Sequence, residues 1–206
     1  MVRNQIIVAL DGISKKNALS IARKLKKTVW GFKINDLLFE DPKIVKELKR
    51  YGKVFADAKL YDIPNTVKNS VQRLSKLGAD IITVHASGGV AMMRVAKEAA
   101  GKSKIVGVTV LTSQPGNQKK SVLKLAKEAQ SAGLDGVVCS AQELPYLSRI
   151  KLLKIVPGIR PVWYKTGDDQ RRTATPKEAI KAGADLIIIG RPITESKDLK
   201  EAINDL

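Results

Sequence analysis

The chain has 206 residues, of which 44% are hydrophobic and 28% are charged. This composition excludes a disordered chain and predicts a single globular domain over residues 1–206. Apolar runs such as Ile105–Leu111 are far too short to cross a membrane, the first residues show no signal-peptide pattern, and the lone Cys139 excludes an intrachain disulfide, so we expect a protein of the reducing cytoplasm.

Short apolar runs alternate with longer amphipathic segments along the whole chain. The predicted strands are, in order, Gln5–Leu10, Val29–Lys33, Val54–Lys59, Ile81–His85, Ile105–Leu111, Gly136–Cys139, Lys154–Val156 and Leu186–Ile189. The predicted helices are Lys15–Lys26, Pro42–Tyr51, Thr66–Leu77, Gly89–Ala100, Ser121–Ala132, Ala141–Arg149, Thr175–Ala182 and Asp198–Ile203. Gly78, Gly133 and Gly183 each follow an amphipathic segment and precede a strand, as is typical where a helix ends.

Eight strand–helix units in succession predict parallel strands joined by right-handed crossovers. Closure of such a sheet gives a single (β/α)8 barrel, the TIM barrel, of the α/β class. An open doubly wound sheet is the alternative. The chain has no glycine-rich dinucleotide fingerprint, which favours the closed barrel.

Active sites of such barrels lie at the carboxyl ends of the strands, so charged residues there are candidate functional groups. The densest cluster is Asp57, Lys59 and Asp62 at the third predicted strand, with Lys33 at the end of the second. Asp57 and Lys59 share the parity of Phe55, which places them on the barrel-facing side. A lysine held between carboxylates stays protonated and can donate a proton. For an isolated pair, a buried ion pair that only closes the barrel would be the preferred interpretation.

A second cluster follows the last two predicted strands. Pro157-Gly158-Ile159-Arg160 comes after the seventh strand, and Gly190-Arg191 comes after the eighth. Barrel enzymes commonly hold a phosphate at these two loops. Glycine lets backbone N–H groups approach an anion, and arginine binds phosphate oxygens in pairs. The sequence therefore predicts a phosphate site at this side of the barrel.

Three conspicuous residues are given structural roles. His85 is the single histidine, so no clustered second ligand supports a metal site, and we expect a hydrogen-bonded structural residue at the end of its strand. Cys139 is expected to pack in the sixth strand, and Trp30 is expected in the core.

These residues give the chain a resemblance to the orotidine 5'-phosphate decarboxylase family from its first strand to its last. The family string Asp-x-Lys-x-x-Asp-Ile-x-x-Thr matches Asp57–Thr66 at every fixed position. Further matching strings are Ile-Val-Ala-Leu-Asp ending at Asp11, Val84-His85-Ala86, Pro157-Gly158-Ile159-Arg160, Asp169-Gln170-Arg171-Arg172 and Ile189-Gly190-Arg191-Pro192-Ile193. The loop residues Val162-Trp163-Tyr164-Lys165 depart from the family pattern, since this loop is usually smaller and richer in glycine.

The resemblance implies a decarboxylase that converts orotidine 5'-monophosphate to uridine 5'-monophosphate, the last step of de novo pyrimidine nucleotide synthesis, with no cofactor and no metal. Lys59 would protonate C6 of the pyrimidine as carbon dioxide leaves, with Asp57 against the departing carboxylate. Lys33 and Asp62 would complete an alternating charge network around them.

The resemblance also implies substrate contacts and a homodimer. The implied substrate-binding residues are Asp11, Lys33, Asp62 and Thr66 at the ribose, Ser113 at the pyrimidine, Arg160, Gln170, Gly190 and Arg191 at the phosphate, and Ile63 and Pro157 within the matched strings. In the family, the residues that correspond to Asp62 and Thr66 reach the active site of the neighbouring subunit. The expected oligomer is therefore a homodimer with active sites at the subunit interface.

Two alternatives remain at this point. Sugar-phosphate enzymes of the same superfamily, such as hexulose-phosphate synthase, share the Asp-x-Lys-x-x-Asp core but use magnesium, and Ile63–Thr66 with Arg160 and Gln170 favour the decarboxylase. The formal net charge of +17 could instead indicate a nucleic-acid-binding barrel. Aromatic residues make up only 4% of the chain and the lysines are scattered along helical segments, so we expect binding of neither nucleic acid nor membranes.

Overall fold

Eight parallel strands form a closed barrel in sequence order, with β1 paired to both β2 and β8. The structure is a computed structural model that describes residues 2–114, 118–164 and 173–206. The strands are β1 Ile6–Ala9, β2 Gly31–Ile34, β3 Lys53–Leu60, β4 Ile81–His85, β5 Lys104–Val108, β6 Gly136–Val138, β7 Leu153–Val156 and β8 Leu186–Ile189. The predicted α/β class and (β/α)8 barrel are confirmed.

Helices follow most of the strands and cover the outside of the barrel. They are α1 Lys15–Lys24, α2 Asp36–Glu40, α3 Ile44–Leu48, α4 Pro64–Leu77, α5 Gly89–Glu98, α6 Lys119–Ser131, α7 Pro176–Lys181, α8 Arg191–Thr194 and α9 Leu199–Asn204. Short 3₁₀ segments occupy Val2–Gln5, Ala86–Gly88 and Ala141–Leu147. Within the described ranges, no helix has the length and apolar character needed to cross a membrane.

Alternation along the strands divides the apolar core into two clusters. Side chains that point into the barrel form the smaller cluster, which consists of Ile7, Phe55, Ile81, Val106, Ile155, Leu186 and Ile188. Side chains that point outwards, such as Val54 and Ile82, pack against the helices in the larger cluster. Because Phe55 belongs to the interior cluster, the predicted inward parity of β3 is correct.

Local sequence signals explain where elements begin, end and pack. Pro64 opens α4, and Gly78 ends it in a left-handed conformation at φ +98°. Gly31 lets β2 approach β3, since a Cβ at this position would lie 2.2 Å from the Lys53 carbonyl oxygen. Substitution of Gly31 would therefore separate two strands that carry site residues.

Three aspartates brace the amino-terminal end of the barrel, away from the strand ends that carry the candidate site. Each lies in a Gly-x-Asp sequence before an even-numbered strand and accepts the backbone N–H of a residue at the start of the preceding odd-numbered strand. The bonds join Val54 to Asp80 at 2.8 Å, Ile105 to Asp135 at 2.8 Å and Lys154 to Asp185 at 2.7 Å. Lys49 and Lys97 pair with the first two aspartates and neutralise their charge.

Several predicted elements differ from the observed ones. Asp36–Glu40 forms a helix that was not predicted, and the predicted helix Pro42–Tyr51 is reduced to Ile44–Leu48. The predicted helix Ala141–Arg149 is a 3₁₀ segment that contains Pro145, which cannot donate the backbone hydrogen bond that an α-helix needs. The predicted fifth strand ends at Val108 rather than Leu111, and the Thr109 hydroxyl that follows it donates to the Val138 carbonyl at 2.8 Å.

Candidate active site

The carboxyl ends of the strands surround a pocket of about 830 Å³. Its floor is the upper part of the barrel interior, where Ala9, Phe55 and Val138 line it. The pocket is lined by most of the residues predicted for the site, namely Asp11, Lys33, Asp57, Lys59, Ser113, Pro157, Arg160, Gly190 and Arg191. A cavity of this size accommodates a ligand as large as a mononucleotide.

Four lining side chains form a continuous row of alternating charge from β1 to β3. Lys33 Nζ contacts Asp11 and lies 3.2 Å from Oδ2 of Asp57. Lys59 Nζ lies 2.6 Å from the same Asp57 oxygen. The side chains of Lys33 and Asp57 are 8% and 9% exposed, whereas that of Lys59 is 33% exposed. The inner pair is therefore buried, and Lys59 presents its ammonium to the pocket.

The buried members of this row keep their charges because they are paired. Burial raises the pKa of Asp57, but the charges of Lys33 and Lys59 and the hydrogen bonds to the carboxylate outweigh it and hold the pKa below its ordinary value. Burial likewise lowers the pKa of Lys33, but the charges of Asp57 and Asp11 more than compensate and raise it. At neutral pH, Asp57 is a carboxylate and Lys33 an ammonium.

Two residues that sequence reasoning missed hold Asp57 in place. The Thr83 hydroxyl donates to Oδ1 of Asp57 at 2.9 Å, and the Asn35 side-chain amide donates to the Asp57 carbonyl at 2.7 Å. Thr83 is completely buried. Its signal in the sequence is faint: it is a polar residue in the apolar run Ile81–Val84, with the inward parity of Ile81.

The backbone of β3 is irregular where it carries the charged residues. Ala56 lies opposite Ile82 of β4 and Leu60 lies opposite Val84, so the three residues 57–59 stand opposite the single residue Thr83. Within this bulge Lys59 adopts φ +45°, a conformation that costs a non-glycine residue about 1–3 kcal/mol. Bulges re-aim side chains next to active sites, and such strain is found where function requires one geometry.

The opposite side of the pocket has the features expected of a phosphate site. Pro157 and Gly158 follow β7, with Gly158 at φ +74°, and Gly190 joins β8 to α8. The guanidinium of Arg160 donates to the Ile159 carbonyl at 2.9 Å and lies over the Tyr164 ring. Arg191 lines the pocket beside it, so two arginines and two glycines meet at the ends of β7 and β8.

The remaining predicted residues lie elsewhere or outside the described ranges. Asp62, Ile63 and Thr66 are exposed at the start of α4 and do not belong to the pocket lining of this chain. Oδ1 of Asp62 accepts the backbone N–H of Ile63 at 2.7 Å. Gln170 lies outside the described residues, as does Lys165 at the end of the Val162–Lys165 loop.

The residues assigned to structural roles are only partly as predicted. Cys139 is buried directly after β6, and Trp30 packs against the interior cluster just before β2. His85 is half-buried with its ring edge-on to Tyr61 at 6.0 Å, but no hydrogen bond to its imidazole forms among the described residues, contrary to expectation. Burial, and then the nearby charge of Lys59, lower the pKa of His85, so the ring is neutral at pH 7.

The parts of the chain that the structure describes contain no group of three or more His, Cys, Asp or Glu side chains able to hold a metal ion. What the pocket offers is an ammonium at its wall, fixed by a buried carboxylate, and arginines across from it. A closed parallel barrel with such a pocket at its carboxyl end is the architecture of a barrel enzyme that acts on an anionic substrate.

Comparison with known proteins defines the class further. The chain matches the Orotidine 5'-phosphate decarboxylase / HUMPS family over residues 4–206, and it belongs to that family. It is 42% identical over 224 aligned residues to the orotidine 5'-phosphate decarboxylase of Dichelobacter nodosus, with 99% of this chain and 97% of the relative covered. It is also 42% identical to the enzyme of the same name from Carboxydothermus hydrogenoformans, with 96% and 92% covered.

A solved structure agrees in fold. The crystal structure of orotidine 5'-phosphate decarboxylase from Lactobacillus acidophilus superposes with a TM-score of 0.83 and 36% identity, covering 98% of this chain and 96% of that one. The likeness to both sequence relatives and this structure extends over nearly the whole barrel, and therefore includes the strand ends that form the pocket.

Proposed function

We propose that this chain decarboxylates orotidine 5'-monophosphate to uridine 5'-monophosphate, the last step of de novo pyrimidine nucleotide synthesis, without a cofactor. The observation that carries this proposal is the position of Lys59, whose ammonium lies 2.6 Å from the Asp57 carboxylate at the wall of the pocket. Membership of the family and the names of the full-length relatives support the same reaction.

The chemistry requires a fixed cation and a proton, and Lys59 supplies both. Loss of carbon dioxide breaks a carbon–carbon bond and leaves the electron pair on C6 of the pyrimidine. The ammonium stabilises this negative charge and then transfers a proton from Nζ to C6, which forms the new C–H bond. Solvent returns a proton to the neutral amine, because a third of the Lys59 side chain is exposed.

Asp57 orients the donor and acts on the leaving group. Its carboxylate fixes the ammonium and lies where the departing carboxylate of the substrate would meet a like charge. That repulsion disappears when carbon dioxide leaves, so it raises the ground state relative to the transition state. Lys33 compensates the buried charge of Asp57 from the other side.

The other lining residues bind the rest of the nucleotide. Asp11 and Lys33 hold the ribose hydroxyls, Ser113 contacts the pyrimidine, and Pro157 shapes the loop after β7. Arg160, Gly190 and Arg191 bind the 5'-phosphate, and Gln170 is assigned to the same group by its place in the family string. Binding energy gained at the phosphate, remote from the bond that breaks, then contributes to catalysis at the ring.

We also propose a homodimer in which Asp62, Ile63 and Thr66 complete the active site of the partner. These residues are exposed in the single chain, and Tyr61 and Ile63 leave 65% and 68% of their surface open next to the pocket-bearing strand β3. Large exposed apolar side chains next to a site are typical of an interface.

Mixing inactive Lys59→Ala and Asp62→Ala subunits should restore about a quarter of the wild-type activity, because half of the random dimers carry one intact site. Recovery of none would contradict the shared site.

The proposal also covers the domain organisation and the cellular location of the protein. We propose that residues 1–206 form one catalytic domain, since the strands from Ile6 to Ile189 close a single barrel. We also propose that the protein works in the reducing cytoplasm, where the buried thiol of Cys139 stays reduced.

The decisive experiment replaces Lys59 by alanine and measures the loss of orotidine monophosphate absorbance. Turnover should be abolished while the variant stays folded and binds uridine monophosphate. Lys97→Ala is the matched control, because Lys97 makes the same 2.6 Å contact to Asp135 at the other end of the barrel and should leave turnover intact. Decarboxylation that persists in Lys59→Ala would overturn the proposal, and loss of wild-type activity in EDTA would favour the magnesium-dependent sugar-phosphate enzyme instead.

A further inference from the structure

We propose that Thr83 is a positioning residue for the decarboxylation, which fixes both the Asp57 carboxylate and the Lys59 backbone so that the ammonium points into the pocket. The assignment rests on the proposed role of Lys59 as proton donor. Thr83 itself lies beneath the pocket rather than in its wall, and none of its surface is exposed. It therefore acts through its neighbours.

One hydroxyl makes both connections. Thr83 Oγ1 donates to Oδ1 of Asp57 at 2.9 Å and accepts the backbone N–H of Lys59, also at 2.9 Å. Lys59 Nζ binds the other carboxylate oxygen, Oδ2, at 2.6 Å. Both oxygens of Asp57 are thus engaged, and the carboxylate plane is set by contacts from two directions.

The Lys59 backbone needs this contact because of the bulge in β3. Three residues stand opposite one residue of β4, so the regular ladder between the strands is interrupted at 57–59. Lys59 is also held at φ +45°, a backbone conformation that is unfavourable for a residue other than glycine. The Thr83 hydroxyl accepts a hydrogen bond from the Lys59 backbone N–H, in place of the ladder bond that is interrupted here, and so stabilises the strained conformation of Lys59.

The same hydroxyl affects the charge of the network. Its hydrogen bond is one of the contacts that keep Asp57 ionised despite burial, after the charges of Lys33 and Lys59. Removing the Thr83 hydroxyl should raise the pKa of Asp57 and weaken the ion pair between the Asp57 carboxylate and the Lys59 ammonium. A role confined to packing would produce neither effect.

The test compares Thr83→Val, which keeps the shape but removes the hydroxyl, with Thr83→Ser, which keeps the hydroxyl. Thr83→Val should lower kcat by about 10- to 100-fold, the factor expected for a lost hydrogen bond to a charged group, with affinity for uridine monophosphate unchanged. The acidic limb of its kcat–pH profile should move to higher pH. Thr83→Ser should restore both the rate and the profile.

Thr109→Val is the matched control. Thr109 is also buried, follows the adjacent strand β5 and donates its hydroxyl at 2.8 Å, but it donates to the Val138 carbonyl and not to the charged row. Its loss should leave kcat and the pH profile unchanged. If Thr83→Val does not fold, Thr83→Ala, which leaves room for a water molecule, is measured in its place with the same expectations.

The outcomes separate the two proposals. Lys59→Ala without turnover together with full turnover in Thr83→Val would overturn the role of Thr83 alone. Turnover that persists in Lys59→Ala would overturn the proposed function itself. A Thr83→Ser variant as slow as Thr83→Val, or a Thr109→Val variant equally slow, would assign the effect to packing and overturn the positioning role.

Discussion

Replacing Asp57 by asparagine should destabilise the barrel markedly, although the change preserves the size of the side chain. Asp57 is the centre of the charged row: Lys59 lies 2.6 Å and Lys33 3.2 Å from its Oδ2 atom. The variant leaves the ammonium of Lys33, only 8% exposed, with Asp11 as its remaining carboxylate.

The size of the effect follows from two opposing terms. At an effective dielectric constant of about 20, two unit charges separated by roughly 3 Å attract each other by about 5 kcal/mol. Part of this is offset because the carboxylate no longer loses its hydration on folding. Breaking a buried pair by removing one partner typically costs about 3–5 kcal/mol, and we expect about 3 kcal/mol because Asp11 still compensates Lys33.

Urea and thermal unfolding at pH 7 provide the measurement. For a chain of this size, about 3 kcal/mol corresponds to a decrease in Tm of roughly 6–12 °C. Asp41→Asn is the control, since Asp41 also pairs with a lysine, at 2.9 Å, but its side chain is 39% exposed and its loss should change stability far less.

The pH dependence supplies an independent check. The pKa of Asp57 is lowered in the folded chain, so its contribution is complete above the ordinary value of 3.8 and is lost as the pH falls through the folded value. The difference between wild type and Asp57→Asn should therefore be constant from neutral pH down to about pH 5 and shrink in stronger acid. Equal stabilities at pH 7, or a difference that grows in acid, would refute the reasoning.

Three further predictions concern other parts of the molecule. Arg191→Ala should weaken binding of uridine monophosphate by about 10- to 100-fold but leave binding of uridine unchanged, because the lost contact is to the phosphate. Calorimetry measures both affinities, and equal losses for the two ligands would contradict a phosphate role. Asp135→Ala should cost about 1–3 kcal/mol in urea unfolding because the Ile105 N–H loses its acceptor, while kcat stays unchanged. His85 has a lowered pKa, so the unfolded chain binds its proton more tightly and the free energy of unfolding should fall as the pH drops below 6.5; His85→Gln should remove this part of the pH dependence.

Much of this site can be predicted from the sequence because the responsible patterns are local. Alternation with a period of two places Asp57 above Phe55, and the barrel order brings the end of β2 with Lys33 beside it. Lys59 lines the same pocket as predicted, although the bulge at 57–59 interrupts the regular alternation there. The glycines and arginines after β7 and β8 follow from the same rule that strand ends meet at one rim. For most of these residues, the alternation of side chains along a strand and the position at a strand end are sufficient to predict the site.

Other features depend on pairing that no local pattern specifies. The contact of Thr83 with Asp57 spans 26 residues and requires the bulge that sets three residues against one. The family string also joins Asp62 and Thr66 to Asp57 and Lys59, whereas β3 ends at Leu60 and both later residues are exposed on the surface. In the proposed homodimer their place in a site depends on a second chain, which a single sequence does not display.

The aspartate braces at the amino-terminal rim have a consequence for how the protein forms. Each brace links segments only 26 to 31 residues apart, so it can stabilise a two-strand unit before the cylinder exists. The pairing of Ile6 with Ile187, by contrast, joins the two extremities of the chain. During refolding, we expect the backbone amides where β1 pairs with β8 to acquire protection from hydrogen exchange after those of the strands between them. Closure of the barrel would then be the last step of folding.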